Sequence, residues 1–65
     1  MFFEFKTKKN EKVAININKV LFITPYKNGT YIIDVEGNEY ESSEGYESFM
    51  QRLQDTITLN MRQIV

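Results

Sequence analysis

The 65-residue chain contains no cysteine and no histidine. A disulfide framework is therefore excluded, and so is a structural zinc site built on thiolates, with or without imidazoles. Acid–base catalysis loses its commonest group, so an enzyme here would need carboxylate pairs or a perturbed lysine, with Ser or Thr beside such a base as nucleophile. Glycine is scarce as well. The three glycines are each isolated at a turn or a helix start, which leaves no glycine-rich phosphate loop. Long apolar runs are also missing, since the longest cover only a few residues against the roughly 20 that span a bilayer. Met1-Phe2-Phe3-Glu4 has no basic leader and meets an acid at once, so a signal peptide is not expected and a cytoplasmic setting is the default.

What is present suits a small folded domain: 42% hydrophobic and 26% charged residues. A chain of this length buries only about 60% of its unfolded surface and cannot divide that between two cores, so one domain over 1–65 is expected. Domains below about 70–80 residues usually need a staple. With disulfides and zinc excluded, self-association is the one that remains. Formal net charge is −1, but six lysines against two glutamates give residues 1–30 a balance of +4, while seven acids against two arginines give residues 31–65 a balance of −5. The basic half could attract phosphate.

Alternation orders the first two thirds of the chain. Phe3 and Phe5 alternate with Glu4 and Lys6, and Val13, Ile15 and Ile17 alternate with polar or small residues beyond TKKNEK, which is the pattern of a hairpin. A three-residue loop, Lys9-Asn10-Glu11, sets Phe5 opposite Ile15 and Phe3 opposite Ile17. Two further hairpin signals follow, Asn28-Gly29 for a type I′ turn and Gly37-Asn38 for a II′ turn. Counting from them, Tyr26 faces Tyr31, Thr24 faces Ile33, Phe22 faces Val35, and Val35 faces Tyr40. One side then collects Val20, Phe22, Tyr26, Tyr31, Ile33, Val35 and Tyr40 as the core side, and the other collects Leu21, Ile23, Pro25, Ile32, Asp34 and Glu41.

After Tyr40 the period changes. Tyr46, Phe49, Met50, Leu53 and Ile57 mark the stripe of an amphipathic helix, with Ser43 as its N-cap and Glu44 and Glu47 at the positive end of its dipole. Beyond it, TITLNMRQIV can continue the stripe through Met61, Ile64 and Val65, or alternate as a strand. The weak helix propensity of Thr56, Thr58 and Asn60 tips the expectation to a terminal strand over 57–63. The expected fold is α+β: a small antiparallel β-meander of four to five strands, about 2–7, 12–18, 20–27, 30–36 and 39–42, with one helix at about 44–55 packed on the Phe22, Ile33 and Val35 face.

Asp34, Glu36, Glu39 and Glu41 lie on adjacent strands, and a divalent cation among them is conceivable. Solvent-facing acids that discourage edge pairing are the more economical reading, so no catalytic residue, metal or cofactor is assigned. Lys8, Lys9 and Lys12 at one hairpin tip, and Lys27 with Asn28 at another, are candidates for contacts to nucleic-acid phosphate, with Asn28 able to reach a base edge. Leu21, Ile23 and Ile32 on the second sheet face, with Leu59 and Met61 near the C-terminus, are candidates for a homo-oligomer or protein-partner interface.

From Phe2 to Leu53 the chain also resembles the first two thirds of a LytTR-type DNA-binding domain. The matching segments are KVLFIT, Lys27-Asn28, Tyr31 to Val35, Gly37 to Tyr40, and Tyr46 to Leu53. That resemblance implies DNA contacts from loops, at Asn28 and at Lys8 and Lys9. The family continues with an F-x-R-x-H-R-S-like strand, for which LNMRQIV offers only Arg62. Ile17, Asn18, Leu21 or Val20, Pro25, Gly37 and Tyr40 also resemble the pattern of small FlbD-type flagellar proteins. The expected function is a non-enzymatic regulatory binding module of bacterial or phage type, binding DNA through basic hairpin tips. The alternative is a homo-oligomeric interaction or structural adaptor.

Overall fold

The alternating aromatics Phe3 and Phe5 lie on β1 (Phe2–Lys6), which pairs antiparallel with β2 (Lys12–Asn16). The structure, a computed structural model, describes residues 1–64; Val65 lies outside them. Phe3 faces Ile15 and Phe5 faces Val13, two residues away from the expected partners Ile17 and Ile15. The three-residue loop is Lys8-Lys9-Asn10, closed by the Thr7 N–H donating to the Glu11 carbonyl (2.9 Å) and the Asn10 N–H donating to the Thr7 carbonyl (2.8 Å). Its third position takes left-handed backbone, φ 64° at Asn10. Asn tolerates that conformation better than Glu11 would, which moves the loop back one residue and the register by two. A shift of two keeps every side chain on its face.

β2 ends at Asn16 because the Asn16 side chain accepts from the Asn18 N–H (3.0 Å) and opens a 3₁₀ turn, Ile17–Lys19. That turn separates the first hairpin from β3 (Val20–Tyr26), β4 (Gly29–Asp34) and β5 (Glu39–Ser42), which form an antiparallel sheet in the order β3-β4-β5. The five strands thus make sheets of two and three instead of one meander. A backbone hydrogen bond from Lys8 N–H to the Glu41 carbonyl (2.9 Å) ties the first hairpin to β5.

In the three-stranded sheet the turn residues are Lys27-Asn28, not Asn28-Gly29. Tyr26 faces Gly29, Thr24 faces Tyr31 and Phe22 faces Ile33, and the positive φ falls on Lys27 (53°). Gly29 is withdrawn from the turn because its backbone packs against Ser42, where an added methyl would overlap the Ser42 carbonyl oxygen. The β4–β5 loop is Val35-Glu36-Gly37, with the same pattern as the first hairpin: Asp34 N–H donates to the Asn38 carbonyl (3.0 Å), Gly37 N–H donates to the Asp34 carbonyl (3.1 Å), and Gly37 has φ 86°. Tyr40 consequently faces Ile32 rather than Val35.

These registers and a β-bulge between Val20 and Phe22 turn Ile23, Ile32 and Asp34 inward and Phe22, Tyr26 and Val35 outward, while Val20 and Tyr40 keep their expected place on the core side. Ile32 is fully buried and Ile23 and Tyr40 pack against the core, while Phe22, Tyr26 and Val35 are exposed. Ile23 and Ile32 are therefore core residues and do not form the outer apolar patch expected of them. Thr30, Asp34 and Ser42 are buried beside Ile32 because each holds a connection. Thr30 Oγ1 donates to the Glu44 carbonyl (2.8 Å), and Ser42 Oγ accepts from the Glu44 N–H (3.2 Å). The Asp34 carboxylate accepts from the N–H groups of Glu36 and Asn38 and from the Asn38 side-chain amide. Buried polar groups satisfied in this way carry little penalty.

The helix α1 (Tyr46–Ile64) covers this inner face. Its first carbonyl acceptor is Gly45, bonded by the Phe49 N–H (2.9 Å), so the cap is Gly45 and not Ser43. It continues through residues 57–63, where a strand was expected. Thr56 Oγ1 donates to the Arg52 carbonyl and Asn60 Nδ2 to the Thr56 carbonyl, both at 2.9 Å, and Ile57 packs on the core. Packing of the apolar stripe outweighs propensity differences of under about 1 kcal/mol per residue. At the centre, the Phe49 ring meets Phe3 at 5.2 Å and Phe5 at 5.3 Å edge-to-face, and Phe5 meets Tyr40 at 5.9 Å.

Arg52 fastens the helix to its surroundings. Its guanidinium donates to both Glu44 carboxylate oxygens (3.0 and 2.7 Å) and to the Glu4 carbonyl (3.2 Å), and lies 4.7 Å from the centre of the Phe3 ring. Beside it, the β1 edge and the β5–α1 connection border a cleft of about 580 Å³.

Candidate nucleic-acid interface

Two of the hairpin tips meet at one end of the molecule. The Lys8–Lys9 tip is drawn across by the backbone bond to Glu41 and by a Lys8 Nζ–Glu41 ion pair of 3.0 Å. There Lys8 Nζ stands 5.8 Å from the centre of the Tyr26 ring, and Lys27 Nζ, from the β3–β4 turn, stands 5.2 Å from the same ring. Asn28 is exposed on that turn. Among the described residues Lys9 and Lys27 have no carboxylate within ion-pair distance, so their charge is available to a ligand. Lys12 does not join them. It is opposite Lys6 on the β1–β2 ladder and approaches Glu4 at 3.8 Å.

The expected site omits the aromatic residues between these lysines. On the outer face of the three-stranded sheet, Phe22, Tyr31 and Tyr26 form a row, with centroid separations of 6.2 Å from Phe22 to Tyr31 and 5.9 Å from Tyr31 to Tyr26. Phe22 is 45% and Tyr26 42% exposed, values large enough for a ligand to reach both rings. Tyr31 occupies the middle because Thr24, its partner on β3, is small; Gly29, opposite Tyr26, puts no side chain beside that ring. Sequence periodicity could not place the row. Val20 to Ile23 is apolar on both faces, and the exchange of Tyr31 and Ile33 for Thr30 and Ile32 in the interior depends on hydrogen bonds to a distant connection.

The acids are dispersed among separate tasks. Glu39 accepts a hydrogen bond from the Tyr31 hydroxyl, Glu41 pairs with Lys8, Glu36 approaches Lys19 at 3.9 Å, and Asp34 holds the β4–β5 loop. No cluster of three or more metal-ligating side chains occurs among the described residues. The bond to Glu39 pushes the Tyr31 phenol up to about 12, and it holds the ring in the row. Hydrogen bonds from the Asn38 side chain and the loop backbone hold the Asp34 carboxyl below its ordinary value.

No family model, curated protein or solved structure matches this chain. Among the described residues, no helix is long and apolar enough to cross a membrane. Of the remaining interface candidates, Leu21, Leu59 and Met61 are each more than half exposed.

Proposed function

We propose that this protein is a small non-enzymatic binding module of regulatory type that takes nucleic acid at the end where its basic hairpin tips converge. The observation that carries this reading is the approach of Lys8 and Lys27 to one ring, Tyr26, from two separate hairpins. Lysines brought together by folding form a phosphate-attracting patch despite a net charge of −1. The resemblance of residues 2–53 to a LytTR-type domain supports the same tips as the contact points. Lys8, Lys9, Lys27 and Asn28 are the contact residues in this reading, and Lys12 is left out.

Sedimentation of the protein with DNA at low salt tests it. Alanine at Lys8, Lys9 and Asn28 together should abolish most of the binding, and affinity of the parent should fall with salt at a slope of about −0.9 per phosphate contacted on duplex. Equal binding by the triple variant, or no binding by the parent, defeats the proposal. Leu59 and Met61, exposed on the last turns of α1, favour a second reading in which copies of the chain associate through the helix end. The same experiment tests it, because a folded protein that stays monomeric at high concentration rules that association out.

A further inference from the structure

The row of rings also bears on which kind of nucleic acid the site takes. A duplex offers its groove edges and phosphates, but its bases are already stacked on one another and their faces are closed to a side chain. An unpaired strand offers free base faces, and exposed aromatic side chains beside cations are what such a strand needs. Phe22, Tyr31 and Tyr26 provide three successive rings along one sheet face, tilted at 48° and 51° to their neighbours, and Lys8 and Lys27 stand at the Tyr26 end. We propose that this face takes single-stranded nucleic acid, with unpaired bases stacking on Phe22, Tyr31 and Tyr26 and the phosphate chain passing Lys27 and Lys8.

Charge on the same face gives the strand a side. Glu39 and Glu41 lie along β5 and repel phosphate from that margin, although Glu41 is partly offset by Lys8. Lys27 carries no such partner among the described residues and is the stronger attractor. The backbone therefore runs toward the β3–β4 turn. Phe22, farthest from both lysines in the row, contributes through its ring alone, which makes it the residue that separates stacking from charge.

This inference rests on the nucleic-acid reading above, and the experiment separates the two. Fluorescence anisotropy of the full chain is measured with a short labelled oligothymidylate and with the same strand annealed to its complement. The single strand should bind more tightly than the duplex, and Phe22→Ala should weaken it by about 5- to 150-fold, the equivalent of one lost base stack. Phe22→Tyr, which keeps a ring at this exposed position, should retain binding, and the circular dichroism of Phe22→Ala should match that of the parent, so that a folding defect is not mistaken for a lost contact. Lys27→Ala should weaken both ligands. If the duplex binds as tightly as the single strand and Phe22→Ala changes neither, the stacking proposal is overturned while nucleic-acid binding stands. Failure of both ligands to bind overturns both. If instead Phe22→Ala dissociates a dimer and no strand binds, the row is an interface between copies of the chain and the stacking proposal is again overturned.

Discussion

Gly29 on β4 and Ser42 on β5 approach so closely that a methyl group on Gly29 would overlap the Ser42 carbonyl oxygen. This contact takes the glycine out of the β3–β4 turn, leaves the positive φ to Lys27, and sets Tyr31 opposite Thr24. The aromatic row and its neighbouring lysines follow from that register.

The three glycines should therefore differ sharply in tolerance. Gly29→Ala meets main chain that cannot swing aside and should cost about 3 kcal/mol, the upper end of the usual range for overpacking. Gly37→Ala meets open space and is penalised for its φ of 86° alone, about 1–2 kcal/mol. Gly45→Ala, also in open space, should be the mildest. Urea unfolding midpoints would check the order, and equal losses at Gly29 and Gly45 would contradict it.

Arg52 joins α1 to Glu44, the Glu4 carbonyl and the Phe3 ring. Because 46% of its side chain is exposed, solvent screens the ion pair, and Arg52→Ala should cost about 1 kcal/mol. Arg52→Lys should recover only part, since an ammonium cannot bond both Glu44 oxygens and a carbonyl in one plane. The hydrogen bond from Arg52 also holds the Glu44 carboxyl below its ordinary value. Stability from the pair is thus complete above that ordinary value and is lost as pH falls through the depressed one. Thermal melts of parent and Arg52→Ala should converge in acid.

Tyr31 should resist ionisation. Its folded pKa of about 12 lies above the ordinary 10.0, chiefly through the hydrogen bond to Glu39. The stabilisation from this bond is complete below pH 10.0 and disappears as pH rises through about 12. Alkaline ultraviolet titration should show Tyr31 ionising late, and Glu39→Gln should return it toward the ordinary value. An unchanged titration in that variant would show that Glu39 does not hold the ring.

Asp34 responds in the opposite sense. Its carboxyl is held low by the Asn38 side chain, then by the backbone N–H groups of Asn38 and Glu36. The contribution is present above the ordinary value of 3.8 and is lost as pH falls through the folded value. Asp34→Ala should lower the neutral-pH melting temperature and flatten the acid limb of its pH profile. Asn38→Ala should reproduce part of both effects, because it leaves the two backbone donors in place.

How far the sequence could be read depends on the kind of signal. Phe3, Phe5, Val13 and Ile15 announced a hairpin whatever its exact pairing, since a register error of two leaves the inward set unchanged. Phe49, Leu53 and Ile57 announced a helix. The loop at Asn10 was legible only within one residue, because the expected and the observed loops both contain the asparagine and differ in whether it takes the left-handed position. Lys8 and Lys27 were legible as basic tips, but nothing along the chain reports that the two tips meet over Tyr26.

The sequence by itself determined the class, strands followed by a helix, because period-2 and period-3.6 patterns are local consequences of side-chain direction. It determined the residue types that exclude disulfides and cysteine zinc sites. The tertiary structure decided which face of the three-stranded sheet turns inward. Thr30 and Ser42 are buried because Glu44 meets their hydrogen bonds, Asp34 because the β4–β5 loop does, and Gly29 is held in its strand by Ser42. Those partners are brought together by folding, so a preference for burying Tyr31 and Phe22 yields to contacts that no local pattern contains.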